Sequence, residues 1–392
     1  MSQQRSSLKN GEEKFVTQMS APDSRAWNVA VPAEMGLLSQ PSFIEHYSGT
    51  FSGREALRSG SEMILRFPFP FDADAYIPSV NVEPHDRTGE TAALHAIFDV
   101  DAHYPASVAN RAAILHRDPA RYQSKPYMMD AQWEAMIYMM ENLARDFPDH
   151  FAFRHLDGKC RWINRLLHID KIFEIGNANS LPFEPFEYIT RQVQGDFMIL
   201  DQREDTLWLD VGIVTEGGGW SFDFIFGMDW RGIHGPVRGE RERRIVERAL
   251  RMTLSLGSDA PQRRVNWFLT VTPRMDIAME SRHLWDPGLP KVSKENVADD
   301  VYFRVELQQL HRLPASNAII FVLRNYMLSI RDLARIPKWG KRLHRVLRDL
   351  DPTLDRAKSM KARQEVVDWL APFDDGAPTT PGRGPDHGET AR

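Results

Sequence analysis

His234 stands in the run Trp230-Arg-Gly-Ile-His-Gly-Pro-Val-Arg-Gly239, directly after a segment dense in glycine and aromatic residues from Gly217 to Trp230. Glycine lets backbone approach a flat ligand closely, and aromatic rings line such a ligand. One imidazole held by a Gly-Pro turn beside that lining is what an axial ligand to a haem iron requires. Taken alone, the same run reads as an ordinary histidine satisfied within a loop. A second group lies downstream. Arg304, Glu306 and Gln308 alternate along a strand and so project from one face, and Arg324 and Tyr326 share a face of the next. If the two faces coincide, they form a polar cluster of Arg, Glu and Tyr. A buried carboxylate is costly unless paired, so that cluster is either a structural Glu–Arg pair or a carboxylate that receives a cationic substrate, with the tyrosine ordering it or a water. His-x-Asp occurs at His116/Asp118, His155/Asp157 and His168/Asp170, a spacing that can start a two-histidine, one-carboxylate iron site. With 13 histidines and many acids, chance and surface placement also produce such pairs.

These residues need elements to hold them. Asp196–Asp201 and Thr206–Thr215, separated by Gln-Arg-Glu-Asp, read as a hairpin. Val265, Trp267, Leu269 and Val271 alternate, as do Val301, Phe303, Val305 and Leu307, and Ala318–Tyr326 is an apolar run. That predicts about five strands with antiparallel spacing. Helices are predicted at Pro105–His116, at Asp130–Phe147 with Asp130 as cap, at Glu240–Leu254 and in the C-terminal region. Trp133, Ile137, Met140 and Ala144 fall on one face of the second. Prolines in Arg66–Val82 exclude a regular helix or central strand and predict an extended packing segment. The expected class is α+β, an antiparallel sheet packed on one side by helices. Residues 1–40 are expected to be a mobile segment, 41–373 the folded domain and 374–392 a disordered tail.

Composition narrows the function classes. The chain has 392 residues, 42% of them apolar and 26% charged, with a net charge of −5. No basic stripe interleaved with aromatics points to nucleic acid, and the Lys338–Arg348 stretch reads as a solvated helix face. The only cysteine, Cys160, excludes an internal disulfide, a cysteine-based structural zinc site and a four-thiolate iron–sulfur cluster of this chain alone. A redox reaction here would need electrons from a partner. Dinucleotide, phosphate-loop, His-Glu-x-x-His and Gly-x-Ser-x-Gly signatures are absent. Neither a signal peptide nor a membrane span is read, so the expected location is cytoplasmic, with no membrane partner.

Several runs occur in order: Val193-Gln-Gly-Asp-Phe-Met-Ile-Leu200, Trp220, Ile233-His-Gly-Pro-Val-Arg-Gly239, Arg264-Val-Asn-Trp267, Arg304-Val-Glu-Leu-Gln-Gln-Leu-His-Arg-Leu-Pro314 and Phe321-Val-Leu-Arg-Asn-Tyr326. Together they resemble the alpha subunit of haem-dependent oxidative N-demethylase and the related catalytic subunit of dimethylamine monooxygenase, over roughly residues 60–370. The chain departs from that pattern at Arg238, in the Arg304–Leu310 run, at Asn325, and in the Gly217–Gly219 triplet.

The resemblance implies a PAS-like antiparallel sheet with helical N- and C-terminal extensions. It implies a haem-dependent monooxygenase that takes dimethylamine and O2 to methylamine and formaldehyde. Its electrons would come from NADPH through FMN and iron–sulfur centres on partner reductase subunits. Under it His234 is the iron ligand, with His168, His311 and His155 as competitors. Arg264 or Arg324 would pair with a haem propionate, Trp220 would line the cofactor, and Glu306 with Tyr326 would hold the alkylammonium. Two other readings stay open at this point. One is a haem sensor of gas or redox state without turnover, although no output segment is attached. The other is a metal-free subunit of an oxidase complex.

Overall fold

A computed structural model describes residues 31–48, 60–85, 92–235, 239–352 and 362–386. Its strands are β1 (Val82–Pro84), β2 (Tyr122–Ser124), β3 (Phe151–Leu156), β4 (Lys159–Asn164), β5 (Ile169–Phe173), β6 (Asp196–Arg203), β7 (Thr206–Ile213), β8 (Gln262–Thr270), β9 (Tyr302–Arg312) and β10 (Ile319–Ser329). Seven form one antiparallel sheet in the order β1-β8-β9-β10-β6-β7-β2, and β3-β4-β5 form a second. The described helices are α1 (Pro41–Ser48), α2 (Ser61–Arg66), α3 (Tyr104–Arg117), α4 (Met129–Asp146), α5 (Pro185–Thr190), α6 (Phe222–Ile225), α7 (Trp230–Ile233), α8 (Glu240–Leu254), α9 (Arg282–Trp285), α10 (Val297–Asp300), α11 (Ile330–Leu333), α12 (Pro337–Arg348) and α13 (Arg363–Leu370). The class is α+β.

The strand and helix expectations hold where the apolar period is long. The β6–β7 hairpin closes at Glu204–Asp205, whose φ values of 53° and 56° suit the twist of a tight two-residue hairpin turn. α8 spans the predicted residues. α4 starts one residue early, at Met129. Asp130 is not its cap but lies in the first turn, where a negative charge suits the exposed N–H groups. The buried face of α4 is broader than predicted, with Gln132, Met136, Met139 and Leu143 joining Trp133 and Met140.

One expectation is corrected. Helices cover both faces of the large sheet, not one. On one face, α3 and α4 pack on Phe197, Ile199, Val211 and Ile213, while α11, α12 and α13 pack on Trp267, Val305 and Leu307. Phe67, Phe69 and Phe71 of the extended segment join this second group, with Phe69 stacked on Trp339 at 5.2 Å. On the other face, α8 covers Met198, Leu200 and Leu310. The described parts of both ends contact the folded domain. Leu37 N donates to Leu167 O at 2.8 Å, and Met35 and Leu38 are buried. Residues 374–386 strap onto α12: Trp339 Nε1 donates to Arg383 O at 2.8 Å, and Arg342 Nη1 to Gly382 O at 2.6 Å. Polar composition concealed these contacts because the partners are buried basic and indole groups of α12. Residues 1–30 and 387–392 lie outside the described residues.

Candidate functional site

Between the large sheet and α8 lies a cavity of about 380 Å³. Met198, Leu200, Leu310, Phe321 and Leu323 form its sheet wall, and Ile245, Val246, Ala249 and Met252 form the helix wall. Trp220 and Trp230 add aromatic lining, and the polar groups reaching it include His234, Arg264, Glu306 and Gln308. An apolar cleft with a few convergent polar groups is the usual form of a small-molecule or cofactor site.

His234 is placed there by a short-range build. Leu209 N donates to Met228 O at 3.0 Å, which ties the preceding loop to β7. Asp229 then caps α7, accepting from Gly232 N at 2.9 Å. A Cβ on Gly232 would lie 3.0 Å from Asp229 Oδ1, so the small residue suits the capped turn. His234 ends that turn, and its Nδ1 lies 2.7 Å from Trp230 O. A carbonyl only accepts, so Nδ1 carries the proton and Nε2 keeps a free lone pair. Burial pushes the imidazole pKa down, the Trp230 carbonyl opposes this, and Arg264 adds to it. The net direction keeps His234 neutral, the form that ligates iron.

Arg264 projects from β8 into the same cavity. Its Nε is buried without a hydrogen-bond partner among the described residues. Burial lowers its pKa, while Tyr76 and Glu306 favour the charge. On β9, the buried Glu306 accepts at Oε2 from Asn266 Nδ2 at 3.0 Å and from Gln308 Nε2 at 3.2 Å. Oε1 accepts no hydrogen bond among the described residues. Gly218 is folded close over it, since a Cβ there would lie 2.7 Å from Oε1. Among the described residues the site therefore combines a neutral imidazole, an arginine whose Nε has no partner and a half-committed carboxylate in apolar surroundings.

The sequence model of a family described as haem-dependent oxidative N-demethylase, alpha subunit-like, matches residues 89–368. The chain belongs to that family. Its name denotes an oxidoreductase, implies a haem cofactor and, as an alpha subunit, implies other subunits. The cavity has the chemistry a haem would need. The apolar walls suit a macrocycle, His234 offers Nε2 to iron, and the orphaned Arg264 Nε suits a propionate carboxylate.

The other expected site residues lie elsewhere. In β9–β10, Asn325 pairs with Glu306, whereas Arg324 pairs with Leu307 and Tyr326 with Val305. Directly opposed residues share a face, so the expected Arg–Glu–Tyr cluster does not form. Arg324 Nη2 instead donates to Asp101 Oδ2 at 2.7 Å, and Tyr326 Oη donates to Asp99 Oδ2 at 2.8 Å, both on the far face. Burial and Asp99 push the Tyr326 hydroxyl well above the usual phenol range, so it stays protonated. Burial works against the Asp101 carboxylate, yet Arg324 holds it below its ordinary value. Arg304 shares the Glu306 face but is consumed by Met275 O at 2.7 Å, Glu216 O at 2.6 Å and Asn325 Oδ1 at 3.2 Å.

None of the competing histidines lines the cavity. His311 has Tyr138 Oη on Nδ1 and Gln309 Oε1 on Nε2, each at 3.0 Å, and His155 and His168 are exposed. Among the described residues no group of three or more potential metal-ligating His, Cys, Asp and Glu side chains occurs, and Asp170 of one His-x-Asp pair is bound by Arg161 instead. No described helix is long and apolar enough to cross a membrane. Sequence reasoning missed Asn266 as a support of Glu306. It also missed the helix wall, although Ile245, Ala249 and Met252 fall at helical spacing on one side of α8. Arg238 lies outside the described residues.

Proposed function

We propose that this cavity is where a small methylated secondary amine, dimethylamine, is oxidatively demethylated to methylamine and formaldehyde, with electrons supplied from NADPH through flavin and iron–sulfur subunits. The observation that carries the reading is the meeting of His234, Arg264 and Glu306 in one apolar cavity within a chain of this family. When bound, haem would supply the dioxygen activation that oxidises the N-methyl carbon.

His234 would hold the iron through Nε2, its tautomer set by Trp230 O. Arg264 would hold a propionate, and that pairing would complete the hydrogen bonding of its buried guanidinium. Glu306 would hold the alkylammonium at Oε1, because Asn266 and Gln308 already occupy Oε2. The carboxylate would lower the cost of moving that cation into an apolar site. The sheet and α8 walls would keep water away from the methyl group. Tyr326, on the far face, has no part in this reading.

The test is spectroscopic first and catalytic second. The purified protein is expected to show a Soret band that shifts on adding dimethylamine, and to release formaldehyde with an electron donor and O2. His234→Ala is expected to lose haem. Full haem content with an unchanged Soret band in His234→Ala would falsify the ligand assignment. Haem binding without any formaldehyde from a panel of methylated amines would favour a sensor.

A further inference from the structure

Helix α8 carries different chemistry on its two sides. Ile245, Val246, Ala249 and Met252 line the cavity, while Arg243, Arg244, Arg248 and Arg251 are exposed to solvent. Glu247 and Glu240 sit near these arginines and are already engaged, by Arg231 at 2.7 Å and by Arg244 at 2.5 Å. Arg243, Arg248 and Arg251 form no ion pair among the described residues. In a chain with a net charge of −5 this is a local reversal of sign, placed on the outer surface of the cavity wall.

A physical link leads inward from that helix. Trp230 Nε1 donates to Val246 O on α8 at 3.2 Å. The same indole packs on the His234 ring, with 4.6 Å between centroids. The helix backbone is thus joined to the imidazole by one hydrogen bond and one ring contact. An α-helix with its side chains is about 10–12 Å across, so a protein seated on the arginines stands roughly one helix diameter from the cavity. The single cysteine leaves this chain without a four-thiolate cluster of its own.

We propose that the outer face of α8 is the docking surface for an acidic iron–sulfur protein that delivers electrons to the cavity, with Trp230 coupling the helix to His234. The inference rests on the haem reading of the cavity. In each encounter the donor's reduced cluster would give up one electron to the haem that His234 and Arg264 would hold. Two such transfers, with one O2 and two protons, convert dimethylamine to methylamine, formaldehyde and one water. Charge complementarity selects the partner: exposed like-signed arginines attract an acidic surface, speed its encounter and make it sensitive to salt.

The probe is a small acidic [2Fe–2S] ferredoxin, titrated calorimetrically at low salt into the protein with and without haem. Wild type is expected to bind it in a salt-sensitive manner. The combined Arg243→Gln, Arg248→Gln and Arg251→Gln variant is expected to bind about tenfold more weakly, as exposed pairs each contribute a modest factor. Its reduction by dithionite and its affinity for dimethylamine should stay at wild-type values. Arg154→Gln, on β3, should leave ferredoxin binding unchanged. Trp230→Phe, which keeps a ring but loses the N–H, should bind ferredoxin normally and be reduced by it more slowly. Absence of salt-sensitive binding by wild type, or undiminished binding by the triple variant, overturns the docking surface. Normal reduction of Trp230→Phe overturns the coupling. Ferredoxin binding without haem uptake would instead overturn the function proposed for the cavity and leave the surface standing.

Discussion

On the cavity face of the large sheet, Arg264 keeps a buried Nε without a hydrogen bond and Glu306 leaves Oε1 uncommitted. On the far face, Asp99 is held by Arg66 at 2.5 Å and by Tyr326 at 2.8 Å, and Asp101 by Arg324 at 2.7 Å. Both faces bury charge, and both leave an arginine Nε without a hydrogen bond among the described residues, Arg264 on the cavity face and Arg324 and Arg66 on the other; the carboxylate oxygens of Asp99 and Asp101 are all engaged, whereas Glu306 keeps one free. Buried groups without partners are costly, and on the cavity face an unpartnered donor and a free carboxylate oxygen reach the same apolar cleft. Groups already matched to each other serve the fold. The same distinction separates Arg264 from Arg304, which lie on the same face of adjacent strands while all three guanidinium nitrogens of Arg304 are occupied by protein oxygens.

The largest effect that tests this contrast is on cofactor retention. His234→Ala removes the imidazole at the cavity and should weaken haem binding by more than the roughly 10–100-fold that losing an outer-shell partner of a metal site costs. Haem titration of the apoprotein measures it. His311→Ala is the comparison on the far side of the sheet, where both ring nitrogens are already engaged. It should lower stability and leave haem affinity unchanged. Equal loss of haem from both variants would erase the distinction between the faces.

Next in size is the substrate cation. Glu306→Gln keeps the shape and the partners of Oε2 but removes the charge. A hydrogen bond to a charged group contributes about 1.5–3 kcal/mol, so dimethylamine affinity should fall roughly ten- to a hundredfold. The readout is the amine-induced Soret shift, with haem content unchanged. An unaltered shift would remove Glu306 from substrate binding and leave it as a structural acid.

The strands were legible because their side chains alternate between sheet faces over many residues. Val265, Trp267 and Leu269 were predicted to share a face, and they do so against Val305 and Leu307. Register across strands was not legible, because alternation fixes which residues of one strand share a face but not how that strand aligns with its neighbour. The shift from an expected Glu306–Tyr326 cluster to the observed Glu306–Asn325 pairing is a single step, and it sends Tyr326 to the far side of the sheet. β3 escaped detection for another reason. β3 runs from buried Phe151 through partly buried Ala152 and Phe153 to exposed His155 and Leu156, a burial pattern without clean alternation. His234 was found from its Gly-Pro setting, whereas its hydrogen bond to Trp230 O depends on the three-dimensional turn that Asp229 caps.

Tyr326→Phe sharpens the comparison from the far face. It deletes the hydroxyl that Asp99 accepts and leaves Arg66 as the remaining partner. Leaving a buried acceptor under-satisfied costs about 1–3 kcal/mol. Urea unfolding should show that loss, while formaldehyde production per haem stays at the wild-type level. A fall in turnover without a fall in stability would place Tyr326 in the chemistry, against its position in the sheet.

The smallest effect belongs to the C-terminal strap, where ionic partners are again matched to one another. Asp374 accepts from Arg345 Nε at 3.0 Å and from His344 Nδ1 at 2.9 Å, and Gly376 N donates to it at 3.0 Å. The hydrogen bonds from Arg345 hold its carboxyl well below the usual range, against the opposing effect of burial. A carboxyl with a depressed folded-state pKa stabilises the fold fully above its unfolded value, about 3.9 for aspartate, and loses that contribution as pH falls towards the folded value. Asp374→Asn should therefore cost about 1 kcal/mol near neutral pH, the scale of an ion pair that still meets solvent. That deficit should shrink as acidity increases below about pH 4. Urea midpoints for the two proteins, measured from neutral pH downward, should converge. Parallel curves would mean that the strap is held by the hydrogen bonds from Arg342 and Trp339 alone. Haem affinity should not change at any pH above the convergence, because none of these groups lines the cavity under α8.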